Sequence, residues 1–202
     1  FICKLPNERT AVVVPMAPTD ECIRKVKECT RVTDFIIPTD SYEHTSFASN
    51  WVDLFPDAKF WTLPGVDVGA KITGDLNNRV EFLEETGGAM DIANLKGGLP
   101  GFSFCESFVY YKPQKTIFAI DSLNQLNDEH FLVSWMRPLY EMLDLFDKPA
   151  CAVKFLLTGN REINRRSVDQ VLQWDFDTIM PQHGVFPIQN GKQIFKEAFS
   201  FL

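Results

Sequence analysis

The sequence predicts an α/β layered domain, and three observations carry that expectation. Short apolar runs alternate with amphipathic helical segments through residues 1–60. Of the 202 residues, 45% are hydrophobic, with 18 Phe and 4 Trp, which is enough apolar area for a core. Polar residues of ligand type fall just past the ends of three of the expected strands.

The elements follow in order. Residues 2–5 and 10–14 read as strands around a turn at Pro6-Asn7-Glu8. Thr19 is placed to cap a helix, with Asp20 and Glu21 in its first turn and Cys22, Ile23, Val26 and Cys29 on its apolar face. Phe35-Ile36-Ile37 is a buried strand that ends at Pro38, and residues 39–44 form a polar irregular loop. That loop leads to a helix over 45–55, burying Phe47, Trp51, Leu54 and Phe55, and then to a strand over 58–63.

Residues 64–100 carry seven glycines and weak periodicity, so they read as a variable insertion with one short helix near 78–85. Residues 108–111 and 116–120 form a hairpin about Lys112-Pro113-Gln114-Lys115. A long helix is expected from Asn127 through Phe131, Leu132, Trp135, Leu139, Met142, Leu143 and Phe146, kinked or divided at Pro138. Then come a strand over 150–157, a helix marked by Val168, Val171, Leu172 and Trp174, and a short strand over 178–180. A last helix starts near Asn190, with Ile194, Phe195, Ala198 and Phe199 toward the core. The whole reads as a single domain, 1–202, with its insertion at about 64–100.

Composition narrows the function. The formal net charge is −7, and an acidic chain is not expected to track nucleic-acid phosphates. No apolar run approaches the roughly 20 residues needed to span a bilayer, so membrane association is expected only at the periphery, through a partner. The five cysteines, Cys3, Cys22, Cys29, Cys105 and Cys151, are odd in number and form no CxxC pair. They suit a reducing, intracellular setting rather than a disulfide framework or a zinc ribbon. The chain opens at Phe1 without Met, which implies a removed leader or a missing amino-terminal stretch, a cleaved transit peptide being one cause.

The candidate site rests on three residues. His44 follows one buried strand, Asp121 ends another, and His183 lies just past a third in Pro181-Gln182-His183-Gly184. In α/β sheets, side chains beyond the strand ends converge on one crevice. Two imidazoles and a carboxylate are also the usual three-ligand set of a zinc with an open position. His130, among charged residues on the long helix, reads as ordinary surface. Tyr110 and Tyr111 read as packing residues, and Arg161, Arg165 and Arg166 as a solvated helix face rather than an anion site. No Walker or Gly-x-Gly-x-x-Gly phosphate loop is present.

The order of these segments resembles the metallo-β-lactamase superfamily, whose fold is an αββα layered sandwich. Residues 38–44, Pro-Thr-Asp-Ser-Tyr-Glu-His, look like its His-x-His-x-Asp-His signature, with Thr39 and Ser41 at the first two histidine positions, Glu43 at the aspartate and His44 retained. Residues 108–123 resemble the hairpin that ends in the metal-bridging aspartate, here Asp121, and His183 matches the last histidine. Ser103 lies nearest the third-motif histidine, followed by Cys105 and Glu106. A closer resemblance is to an uncharacterised family of this kind in cyanobacteria, algae and plants. It is carried by Glu43-His44, by Asn50-Trp51 through Phe55-Pro56-Asp57-Ala58, and by Trp174-Asp175-Phe176-Asp177 to His183.

A two-metal hydrolase of this type needs about five histidines, and the chain has three, His44, His130 and His183. The resemblance therefore implies an empty first site of hydroxyls and at most one divalent ion, zinc, manganese or iron, on His44, Asp121 and His183. Two readings stay open. One is a non-catalytic or weakly catalytic accessory subunit, with a protein partner and a plastid setting. The other is a one-metal hydrolase of a small ester or thioester, in which Glu43 or Glu106 ligates the ion or acts as general base.

Overall fold

The computed structural model describes residues 1–127, 137–142, 146 and 148–202. They divide into two units, Phe1–Ile92 and Ala93–Leu202.

In the first unit, β1 (Ile2–Lys4) and β2 (Thr10–Val13) are antiparallel around a turn in which Asn7 and Glu8 both take φ of 60°. Helix α1 (Asp20–Lys27) starts where the sequence places it: the Thr19 hydroxyl accepts the Cys22 N–H at 3.3 Å, a cap worth about 1 kcal/mol. Its Val26 is buried, and Cys22 and Ile23 pack against the same cluster. Strand β3 (Val32–Ile37) is followed by a one-turn helix α2 (Tyr42–Thr45), helix α3 (Ala48–Leu54), β4 (Lys59–Thr62), β5 (Thr73–Asp75) and α4 (Arg79–Glu85). The sheet order is β1-β2-β3-β4-β5, and β2 to β5 run parallel.

The core of this sheet is aromatic. Phe35 stacks on Phe60 at 4.8 Å between ring centres, and Trp51 packs on Phe35 at 5.6 Å. Asp34 is fully buried, which is tolerated because the Arg9 guanidinium donates to it at 2.7 Å and Trp61 Nε1 donates at 3.0 Å.

The second unit begins within β6 (Met90–Leu99); β7 (Phe102–Tyr111) and β8 (Thr116–Ala119) then precede a short strand β9 (Leu123–Asn124), helix α5 (Arg137–Met142) and β10 (Ala150–Cys151). Helices α6 (Lys154–Leu157) and α7 (Arg161–Gln173), strand β11 (Thr178–Pro181) and helix α8 (Gly191–Ala198) complete it. The main sheet has the order β11-β8-β7-β6, with β9 and β10 paired separately. The β7–β8 hairpin turns through a 3-10 segment, Lys112–Gln114, and Lys115 takes φ of 48°. Strand β11 runs parallel to β8, pairing Ala119 with Pro181 at their ends.

Phe108, Phe176, Phe195 and Phe199 interlock edge to face on one side of this sheet, and Tyr110 stacks on Trp174 at 5.2 Å. The edge strand β6 is covered by a side chain. Buried Asn164 on α7 accepts the Lys96 N–H and donates to the Lys96 and Leu157 carbonyls, each at 2.8 Å. One amide thus does what a neighbouring strand would do for that stretch of edge.

Several expectations need correction. The run over 150–157 is a two-residue strand followed by α6, not one strand. A short apolar run has the same pattern in a buried strand and in a helical turn. The helix expected over 45–55 is split into α2 and α3. Phe47 stands between them 42% exposed, while Trp51 is buried at 1%. The Gly-rich stretch holds α4 as expected, but also β5 and all of β6. Gly74 shows why a glycine can mark a strand here: a Cβ would lie 2.3 Å from the Trp61 ring. Most of the expected long helix before Arg137, with His130, lies outside the described residues.

Candidate metal centre

His183 and Asp121 are brought together by strand register. Strands β8 and β11 run parallel and in step to Ala119 and Pro181, and each chain continues two residues to Asp121 and His183. His183 Nε2 then lies 3.2 Å from Asp121 Oδ1. Both remain partly open, with side-chain exposures of 32% and 20%. The Gln182 N–H still donates to the Ala119 carbonyl at 2.9 Å, so the pairing extends to the residue before the histidine.

Past His183 the approach becomes closer. Gly184 bridges Gln125, and the Val185 N–H donates to the Gln125 carbonyl at 2.8 Å. Gly184 has φ of 86°, and a Cβ there would meet the Gln125 carbonyl oxygen at 2.0 Å. Only glycine satisfies both the left-handed backbone and the contact. Asn124 donates from Nδ2 to the Asp121 carbonyl at 3.2 Å, while its own buried Oδ1 has no hydrogen-bond partner among the described residues.

Glu106, expected as a ligand or base, lies inside the protein. It is fully buried on β7, and four donors fill its two oxygens. The Ile120 N–H donates at 3.0 Å, the Asp121 N–H at 2.9 Å, the Ser122 N–H at 2.8 Å and the Ser122 hydroxyl at 2.5 Å. Burial, and then the neighbouring Asp121 charge, push its pKa up to about 7, against the opposing pull of these donors.

In the first unit, residues 39–44 lead from β3 into α2. Thr39 is fully buried, and its hydroxyl oxygen accepts the Ser41 N–H at 3.1 Å. Ser41 precedes α2, and its carbonyl accepts the N–H groups of His44 and Thr45, each at 3.1 Å. His44 is 7% exposed in the last turn of α2, not in an irregular loop, and Glu43 beside it is exposed. In the second unit, Ser103 is exposed on β7.

The bland readings hold where the structure tests them. Arg165 and Arg166 pair along α7 with Asp169 and Glu162, and Arg161 donates to the Leu202 carbonyl. Tyr110 packs on Trp174 and donates its hydroxyl to the Asp175 carbonyl at 2.7 Å. Sequence reasoning missed an open cavity of about 650 Å³ beyond the ends of β4 and β5, lined by Thr62, Gly65, Asp67, Thr73 and Asp75 among others. Glycine-rich loops give no periodic signal that would mark it. Asp67 and Asp75 accept the N–H groups of Gly69 and Asn77, at 2.8 and 2.7 Å, so both already serve local turns.

The fold is that of the metallo-β-lactamase proteins. The chain is similar in structure to the chemotaxis sensor ODP of T. denticola in its apo state, at 13% identity and a TM-score of 0.55, over 98% of this chain and 83% of that one. It is similar to the Flv1 flavodiiron core of Synechocystis sp. PCC6803, at 11% identity and a TM-score of 0.60, over 96% of this chain and 50% of that one. It is similar also to a metallo-β-lactamase from Pontibacter korlensis, at 11% identity and a TM-score of 0.53, over 100% of this chain and 86% of that one. No curated protein matches in sequence. Residues 1–150 match the profile of DUF4336, a domain of unknown function, and the chain belongs to that family.

Proposed function

We propose that this chain is a metallo-β-lactamase-fold protein with a reduced metal centre, acting as a binding or accessory subunit of a larger protein assembly. The observation that carries the reading is Thr39. A histidine of the first metal site would stand at this position, and here a buried hydroxyl accepts the Ser41 N–H instead. A neutral hydroxyl already engaged in a local turn is a poor zinc ligand. With Ser41 and Ser103 at the other two positions, two-metal hydrolysis has no first site to use.

The single-domain reading, 1–202, is supported by solved structures that align over 98% and 100% of the chain. The sequence likeness to a family of cyanobacteria, algae and plants supports a plastid setting and a protein partner there. Net charge of −7 argues against nucleic acid. Among the described residues, no helix is long and apolar enough to cross a membrane, so the expected association is peripheral and through that partner. Size measurement on native extract tests the reading. A discrete particle much larger than the 23.1 kDa chain is expected. A free monomer with fast hydrolytic turnover would overturn it.

One observation favours the second reading, a one-metal hydrolase of a small ester or thioester. Two ligands on one tetrahedral ion with bonds of about 2.0 Å are separated by about 3.3 Å. His183 Nε2 and Asp121 Oδ1 are separated by 3.2 Å. An imidazole and a carboxylate therefore fit a single divalent ion, zinc, manganese or iron, and the signature likeness adds His44 as the third ligand. Such an ion supplies polarisation of a carbonyl or a bound water of lowered pKa. Glu43, exposed next to His44, is the carboxylate left to move a proton. Elemental analysis of protein purified without chelator or nickel separates the readings. One bound metal per chain, lost in His183→Ala, supports the hydrolase, and none under replete conditions removes it.

A further inference from the structure

We propose that Glu106 is the positioning residue of the Asp121–His183 pair, an acceptor kept inside the fold to aim the Asp121 side chain at His183. The pairing of β7 with β8 sets this up. Val109 faces Phe118, Tyr110 faces Ile117 and Tyr111 faces Thr116, so the same register continued places Glu106 opposite Asp121. Strand β8 ends at Ala119, which leaves the N–H groups of residues 120–122 without ladder partners. The Glu106 carboxyl takes all three, and the Ser122 hydroxyl as well.

A continuing strand would satisfy the same N–H groups and would keep the chain flat. The carboxyl gathers three consecutive N–H groups onto one side chain, so the backbone must turn around it. That turn carries the Asp121 side chain to 3.2 Å from His183. Glu106 is the only charged residue in the ten-residue strand β7, and it is fully buried next to buried Phe104 and Phe108. Burying a carboxyl in such a strand costs stability, and four donors on one group offset that cost. Shorter Asp would not reach them, and Gln would turn an N–H₂ toward an N–H. The role acts through Asp121 and does not require Glu106 to touch a substrate.

The test uses the full chain and two readouts, and rests on the metal reading for the second only. The first is NMR of the metal-free protein at fixed pH, following the 120–122 amides and His183 Nε2. In Glu106→Gln the three amides are expected to shift, and the Nε2 signal to move toward its position in Asp121→Asn. Shifted amides with an unmoved Nε2 signal would show a strand cap only and overturn the proposal. Should Glu106→Gln not fold, Ser122→Ala, which removes one donor of four, gives a smaller movement in the same direction, and an unmoved signal there also overturns it. The second readout is cobalt(II) titration, in which Glu106→Gln weakens binding by about tenfold or more. Wild-type protein that binds no cobalt removes the metal reading and leaves the first readout standing.

Discussion

His183 Nε2 approaches Asp121 Oδ1 to 3.2 Å across 62 residues of sequence. Two parallel strands in register, each followed by two further residues, bring these two positions to the same end of the sheet. The two side chains are the shared fixed point of both functional readings.

The first prediction concerns stoichiometry. Titrated with zinc or manganese, the chain should take up no more than one equivalent. Asp121→Asn and His183→Ala should each weaken that binding by about 10- to 100-fold, the range seen when the groups that build or orient a metal site are lost. Thr39→Ala should leave it unchanged, because the Thr39 oxygen is committed to the Ser41 N–H. A second equivalent bound with comparable affinity, by calorimetry or elemental analysis, would contradict the proposed reduced metal centre.

Glu106 makes stability depend on pH in an unusual direction for an acid. Its folded pKa, about 7, is raised above its ordinary 4.5, so between those values the folded chain holds a proton that the unfolded chain has released. Stability from this group is therefore full below the lower value, falls as pH rises through the window and is level above the upper one. The loss is on the order of 3 kcal/mol. Urea melts of wild type and Glu106→Gln at about pH 5 and about pH 8 compare the two slopes. The variant should lack this fall, and equal slopes would mean that Glu106 does not titrate in the window.

Gly184→Ala tests the close approach beside His183. A methyl group would enter at 2.0 Å from the Gln125 carbonyl oxygen, on a residue whose φ is 86°. Strained backbone and forced displacement together should cost about 2–4 kcal/mol. The bridge from Gly184 to Gln125 should open, and His183 should move with it. A drop in thermal midpoint with loss of Val185 amide protection is the expected pair of results. An unchanged midpoint would show that the loop yields freely.

Much of this architecture was legible because its signals are local. Thr19 capping α1, the Lys112–Gln114 turn and the β11 strand before His183 each depend on residues a few positions apart. Asp121 and His183 could be named as partners because both follow short buried strands. What the sequence hid was long-range. Glu106 reads as an open acid until the antiparallel register places it opposite Asp121 and buries it. The run over 150–157 reads as a strand, since apolarity alone does not separate a buried strand from a helical turn. Strand β5 was invisible because Gly74 has no side chain to mark it, and its reason lies in the Trp61 ring on β4.

The cysteines divide by environment. All five are free thiols. Burial pushes the Cys3 and Cys151 thiols up to about 12, so neither offers thiolate near neutral pH. Native alkylation with iodoacetamide should modify only Cys22, Cys29 and Cys105, which are half-buried. Denaturant should expose the other two. Peptide mass spectrometry reads the pattern directly, and rapid native labelling of Cys151 would mean that the β9–β10 pair opens readily.

Asn164 offers a test of how the edge of the second sheet is closed. Its amide accepts the Lys96 N–H and donates to the Lys96 and Leu157 carbonyls, and Asn164 itself is fully buried. Asn164→Leu keeps the branched shape and removes every one of those bonds. The Lys96 N–H and two carbonyls are then left inside without partners, which should cost about 3 kcal/mol or more. Asn164→Asp restores the acceptor for Lys96 but turns an oxygen toward the two carbonyls, so it should recover little. A denaturant midpoint in Asn164→Leu equal to that of wild type would mean water reaches the β6 edge. In that case α7 would not be the element that protects this edge from pairing with another chain.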